Sequence, residues 1–143
     1  MQTLTMKNVL VSVNKAIKNR KLGAARGHTE CLYNYPDGCG CAIGVSLYED
    51  TLNSIRAKAC NGQYLQTVVG QGILSVKSET ERLDMRTLQN AHDAWALHNP
   101  HKSGEDAEFG RTKSAAEKFR KEFFKVLNNM RTKYNVKAKQ YSL

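Results

Sequence analysis

Proline is scarce in this 143-residue chain: Pro36 and Pro100 are its only two, and no compositionally biased tract takes its place. That excludes a proline-rich linker and argues against wholesale disorder. Long apolar runs are missing as well. The longest near the start, Val9-Leu10-Val11, is too short for a signal-peptide core, and no run approaches a membrane span. A cytoplasmic setting with no membrane partner is the expectation. There the four cysteines are expected as thiols, metal ligands or transient redox groups, not as structural disulfides. Phosphate-loop signatures are absent too. Gly38-Cys39-Gly40 and Gly70-Gln71-Gly72 lack both the P-loop lysine and the full G-x-G-x-x-G of a dinucleotide fold.

Acid is what the two ends lack. Residues 1–30 carry six Lys and Arg against one Glu, and residues 101–143 carry eleven against five acids. The middle, 31–100, carries five against seven, so the net charge of +9 sits at the termini. Such a distribution suits a domain whose ends meet a polyanion. The candidate contacts to nucleic acid or an acidic partner are Lys15, Lys18 and Arg20 at one end, and Lys118, Lys121, Lys125, Arg131 and Lys133 at the other. A solvated helix face explains the same residues, with Glu117 and Lys121 as a favourable i,i+4 pair. No helix-turn-helix, zinc-finger or RNA-recognition signature accompanies them.

The chain is long enough to bury a core, and it reads as one domain over 1–143. Met6, Leu10, Val13 and Ile17 recur at helical spacing and predict a first helix over about 5–22, capped by Thr5 or Thr3 and stopped by Gly23. A second helix is expected from Asp50 or Thr51 to Asn61-Gly62, and a short one over Tyr64–Val69. Ser78-Glu79-Thr80-Glu81 fits a capping box and opens a helix through Leu97, with Met85, Leu88, Ala91, His92 and Trp95 along one side. Asn99-Pro100 ends it, and 99–110 is a polar loop expected to be mobile. A basic C-terminal helix over about 112–135 follows, with Phe119, Phe123, Val126 or Leu127, Met130 and Tyr134 inward, and 136–143 as a frayed tail.

The remaining stretch holds three of the cysteines. Cys31-Leu32-Tyr33-Asn34-Tyr35 alternates like a strand, Pro36-Asp37-Gly38 is turn chemistry, and Cys39 to Ile43 is expected to return as the antiparallel partner. In that hairpin Gly40, Ala42 and Gly44 leave one face bare for a closely packed helix. The expected class is mainly α (α+β): four to six helices on a small antiparallel β-hairpin. His28, Cys31, Cys39 and Cys41 are the candidate zinc ligands, although C-x-C is not the usual C-x2-C knuckle, and buried cysteine is often a small hydrophobe. Cys39 with His28 or His92 is the candidate catalytic thiol pair. His92-Asp93 has the dipeptide of metal-dependent phosphohydrolases without their further ligands. Cys41, His92 and Trp95 read better as structural core.

Cys31-x-Tyr33, Asp37-Gly38, Cys41-Ala42-Ile43-Gly44 and, after a helical stretch, Leu88-Gln89-x-x-His92-Asp93 resemble segments of a group of small bacteriophage and prophage proteins. The similarity covers roughly residues 28–95. The chain departs from the group at Tyr48-Glu49-Asp50, where Pro-Asp often stands, and adds the basic C-terminal helix. The resemblance implies a phage-type accessory protein, acting in a host cytoplasm on a host or defence component, with Cys41 and His92 in one shared core. The expected function is non-catalytic binding of a host or defence protein complex, or of DNA or RNA, with no cofactor. The alternative is a small enzyme or zinc-supported module on the cysteine hairpin.

Overall fold

In the computed structural model, which describes residues 1–28, 31–99 and 111–137, three helices begin where the sequence supplies a side-chain cap. Thr5 accepts from the Asn8 N–H at 3.2 Å, Ser78 from the Glu81 N–H at 3.2 Å, and Thr112 from the Ala115 N–H at 3.1 Å. Each satisfies a first-turn donor that has no partner inside its own helix. The described residues form β1 (Gln2–Leu4), α1 (Met6–Lys18), α2 (Glu49–Ala57), α3 (Leu65–Gly70), β2 (Leu74–Val76), α4 (Glu79–His98) and α5 (Lys113–Lys133). Single 3-10 turns stand at Ala24–Arg26 and Gly44–Ser46. The capping box is used across elements: Ser78 donates to Glu81 Oε2 at 3.0 Å, while Glu81 Oε1 accepts the Met6 N–H at 2.9 Å, fixing the start of α1 beside the start of α4.

The core lies where α1, α4 and α5 meet. Met6, Val9, Leu10, Val13 and Ile17 bury the predicted stripe of α1 against Met85, Leu88 and Trp95 of α4 and Phe123 and Leu127 of α5. Trp95 packs on Phe123 and Phe124 with ring centroids 5.6 and 6.3 Å away. Full burial of each such side chain stabilises by about 1.5–3 kcal/mol, more than any surface pair in the molecule offers.

The mainly helical expectation holds, and the antiparallel hairpin does not form. The sheet is β1 beside β2, parallel, with Thr3 opposite Ser75 and their hydroxyls 2.8 Å apart. Residues 31–43 are irregular. Two backbone bonds cross the segment, Tyr35 N–H to the Cys39 carbonyl (2.8 Å) and Cys41 N–H to the Leu32 carbonyl (3.1 Å). Other amides find side chains: Leu32 donates to the Tyr35 hydroxyl (3.2 Å), and Tyr33 and Asn34 both donate to Asn61 Oδ1 (2.9 and 3.3 Å). Gly40 turns instead to the first connection, receiving the Gly23 N–H at 2.8 Å and donating to the Lys21 carbonyl at 2.9 Å. Nor is the bare glycine face covered by a helix. A Cβ on Gly44 would lie 1.9 Å from the Tyr33 carbonyl oxygen, so the close approach is made by the Tyr33 backbone.

Helix ends also fall earlier than predicted. α1 stops at Lys18 and α2 at Ala57, because Arg20 and Ala59 turn left-handed at φ 55° and 53°. In each case the next amide closes a six-residue loop, Lys21 N–H to Ala16 O at 2.8 Å and Cys60 N–H to Ile55 O at 2.9 Å. Asn135 ends α5 in the same way, with the Val136 N–H on the Arg131 carbonyl at 2.9 Å. That is the usual helix-ending motif with a non-glycine residue at its left-handed position. The expected mobile loop lies outside the described residues except at Asn99, as do residues 138–143 of the expected tail.

Candidate functional site

The four cysteines are all free, and the predicted quartet of His28, Cys31, Cys39 and Cys41 divides into two places. At the first, the turn Tyr35-Pro36-Asp37-Gly38 closes through the Gly38 N–H on the Tyr35 carbonyl at 3.0 Å, with Gly38 at φ +84°. This brings Asp37 and Cys39 to the same side. Asp37 Oδ1 accepts the Cys39 N–H at 3.0 Å, and Asp37 Oδ2 lies 2.7 Å from His28 Nε2. The His28 ring stacks on Tyr35 at 4.2 Å, and ligand atoms of His28, Asp37 and Cys39 all fall within 4.8 Å of one another. The Cys39 amide holds the Asp37 carboxyl down at about 2, against a smaller upward push from burial and with help from His28. Burial pushes the Cys39 thiol up, as do Asp37's hydrogen bond and charge, while Lys21 and Arg26 act in the opposite sense.

Cys31 and Cys41 are at the second place, against α4. His92 is fully buried and its Nε2 accepts the Ala24 N–H at 3.3 Å. The ring proton therefore sits on Nδ1, 3.1 Å from Asp93 Oδ1. The same carboxylate oxygen accepts from Gln89 Nε2 at 2.6 Å, and Gln89 Oε1 accepts the Ile43 N–H at 3.0 Å. Cys41 Sγ accepts the Gly44 N–H at 3.3 Å, and the Cys31 thiol points at the Asp93 carbonyl 4.0 Å away. The C-A-I-G and L-Q-x-x-H-D segments are thus two halves of one hydrogen-bonded core. Burial first, then the Asp93 charge, pushes Cys31 up to about 12, and burial pushes Cys41 up to about 12 against the pull of the Gly44 amide. Both are neutral thiols at ordinary pH, which removes the nucleophilic form. Among the described residues no hydrogen bond joins Cys39 to His28 or His92; the Cys39 thiol points at the Arg20 carbonyl, 3.8 Å away.

Beside this core a cleft of about 780 Å³ opens between α4 and the segment from Gly62 to Thr67. Arg86, Asn90 and Asp93 line one side at helical spacing, Tyr64 stands on the other, and Cys31 and Cys41 lie within it. Its lining mixes apolar side chains, Leu65 and Leu97 among them, with the polar ones of α4. Arg82 at its edge is held by Glu79 through two bonds of 2.9 and 2.5 Å.

The basic candidates fare unequally. Lys15, Lys18, Arg20, Lys118, Lys121 and Lys125 are exposed. Lys121 is 3.9 Å from Glu117, whose carboxylate instead grips Arg120 at 2.9 and 2.8 Å. Lys133 pairs with Asp84 at 2.8 Å. Burial raises the Asp84 carboxyl, but hydrogen bonds from Lys133 and Tyr134 outweigh it and hold the group below its ordinary value. Arg131 is only 6% exposed and donates to Asn14 Oδ1 of α1 and to Asn128 Oδ1 at 2.7 Å. It faces inward and ties α5 to α1 beside their shared apolar packing. Sequence reasoning missed Asn14, Asn61 and Asp37 as organising groups. Asp37 was legible only as a turn residue, since its second role depends on where His28 comes to rest.

No helix among the described residues is long and apolar enough to cross a membrane. Protein-family models, curated protein sequences and solved structures all give no match to this chain.

Proposed function

We propose that the protein is a non-catalytic binding protein that engages a polyanion through the basic surface of α1 and α5. Nucleic acid, or an acidic face of a host or defence protein complex, is the partner class of that charge. One observation carries the reading: Arg131 and Asn14 join α1 to α5, so cations from both ends of the chain belong to neighbouring helices. Among the described residues, Lys15, Lys18, Lys118 and Lys125 form no ion pair, and their charge is left to a partner. The raised thiols speak against nucleophilic catalysis at the cysteines. The resemblance to phage and prophage proteins adds the host cytoplasm as the setting.

The test is affinity for a mixed-sequence DNA or RNA oligonucleotide as a function of salt. Each phosphate contact contributes a slope of about −0.9 in log K against log salt, so about five contacts weaken binding roughly 500-fold between about 50 and 200 mM. A flat salt dependence rejects the reading. Steep dependence for an acidic polypeptide and none for nucleic acid selects the protein partner. A pulldown from bacterial lysate with and without nuclease separates the same two cases in a mixture.

A further inference from the structure

We propose that His28, Asp37 and Cys39 form a divalent-metal site of zinc type that fastens the first connection to the turn at 35–39. The observation is geometric: imidazole, carboxylate and thiol donor atoms from three residues converge within 4.8 Å. This assignment replaces Cys31 and Cys41, which face α4, by Asp37. It stands independently of the polyanion reading.

Asp37 and His28 are already held by second contacts, and the Cys39 thiol points at the Arg20 carbonyl 3.8 Å away. Asp37 is held through Oδ1 by the Cys39 amide, leaving Oδ2 toward His28. His28 is held by stacking on Tyr35 and by its own N–H on the Gly23 carbonyl at 3.2 Å. Such outer contacts fix ring and carboxylate directions at metal centres. A tetrahedral zinc ion with bonds of about 2.0–2.3 Å places its donors roughly 3.3–3.6 Å apart. His28 and Asp37 therefore open slightly from 2.7 Å and Cys39 closes, all by side-chain movement. One soft sulfur with nitrogen and one oxygen suits zinc and disfavours magnesium or calcium, which take oxygen donors. Three protein ligands leave one position for water, and Asp37, with 40% of its side chain exposed, opens the site to solvent.

On binding, the Cys39 Sγ–H proton is released to solvent and sulfur bonds the metal. His28 presents the Nε2 lone pair with its ring proton on Nδ1. Thiolate and carboxylate then balance the ion's two charges. Lys21 and Arg26, the cations acting on Cys39, ease loss of its proton but oppose the incoming cation. Affinity rises with pH, because a proton leaves.

The experiment loads chelator-treated full-length protein with Zn²⁺ or Co²⁺ and measures stoichiometry, competition with a chromophoric chelator, and the thiolate–Co²⁺ absorption. One ion per chain is expected, together with a sulfur-to-metal band and a Zn²⁺-dependent rise in Tm. His28→Gln and Asp37→Asn, at partly exposed positions, should each weaken binding by about 10–100-fold or more. Cys31→Ser should leave it unchanged. Cys39→Ser should abolish the band, but its burial makes the other two variants decisive. Substoichiometric binding in the wild type, or His28→Gln and Asp37→Asn binding as tightly as wild type, overturns the site.

Discussion

Between Cys31 and Ser46 only Pro36, Asp37 and Gly38 are exposed, although this stretch holds most of the cysteine and the turn chemistry. Along α1 and α5 the lysines are open to water, over a buried apolar stripe. The difference comes from the backbone. A helix satisfies its own amides and carbonyls, so its outward side chains are free to carry charge. A buried irregular segment has no such ladder, and every amide needs an acceptor from elsewhere. Here scattered backbone carbonyls supply some of them, and Asn61, Gln89, Asp37, the Tyr35 hydroxyl and Cys41 Sγ supply others. The residues that look reactive in sequence are therefore largely spent on holding the backbone, while the plainest part of the chain keeps its surface available.

The sharpest way to break this contrast is to add one methyl group. Gly44→Ala drives a Cβ into the Tyr33 backbone, with 1.9 Å to its oxygen and 2.6 Å to its carbonyl carbon. A stability loss of about 3 kcal/mol or more is expected. Gly70→Ala, at the end of α3 with nothing within 4 Å, is expected to be neutral or to stabilise by up to about 1 kcal/mol. Urea denaturation followed by Trp95, the only tryptophan, reads both. Equal effects would mean the irregular segment is no more tightly built than a helix end.

His92→Leu is next. It keeps the apolar contacts with Phe123 but leaves the buried Ala24 N–H without its acceptor and Asp93 with Gln89 in place of two donors. The expected loss is about 2–3 kcal/mol. His92→Gln, which retains an acceptor, should recover part of it. A change below about 0.5 kcal/mol would take His92 out of the framework and reopen it as a functional group.

Parts of this were legible in the chain. The stripe of α1, the Ser78 cap and the core side of α4 depend on neighbours three or four residues away, and they stand where the spacing puts them. The misreadings share a cause in distance along the chain. The alternation Cys31-x-Tyr33-x-Tyr35 looked like a strand, but the amides of Leu32, Tyr33 and Asn34 are taken by the Tyr35 hydroxyl and Asn61, and no local pattern announces Asn61. The β1–β2 pair joins Leu4 to Val76, and three-residue strands leave too little alternation to detect, although Ile73-Leu74-Ser75-Val76 after Gly72 carried some signal. For the sites, residue types were legible and their grouping was not: the zinc quartet divides, and Arg131 turns inward to Asn14.

Arg131 and Lys125 are two cations on one helix with opposite fates, and they sharpen the contrast further. Arg131→Ala should lower stability by about 1–2 kcal/mol, through lost hydrogen bonds and packing, while leaving the salt slope of polyanion binding unchanged. Replacing Lys118 and Lys125 together by Ala should do the reverse. Stability stays within about 0.5 kcal/mol, and the slope falls by about two. If Arg131→Ala flattens the slope, the buried guanidinium reaches the partner after all.

The smallest effect is at Asp37, the one charged side chain in the exposed turn of the cysteine segment. Its folded-state value of about 2 lies below the ordinary carboxylate value, chiefly because the ionised group accepts the Cys39 amide. A depressed value means that the folded state holds the charged form more tightly than the unfolded chain does. The contribution is therefore complete above about pH 5 and is lost progressively as pH falls through about 2. With 40% of the side chain exposed, solvent screening keeps it below about 1 kcal/mol. Asp37→Asn still offers a carbonyl to the Cys39 amide, so the variant removes the charge and leaves the turn. With metal excluded by chelator, the stability gap between wild type and variant should narrow from about pH 5 downward and close only below about pH 2. A gap that stays constant would show that a neutral acceptor does all the work, and that even the exposed tip of this segment serves the backbone alone.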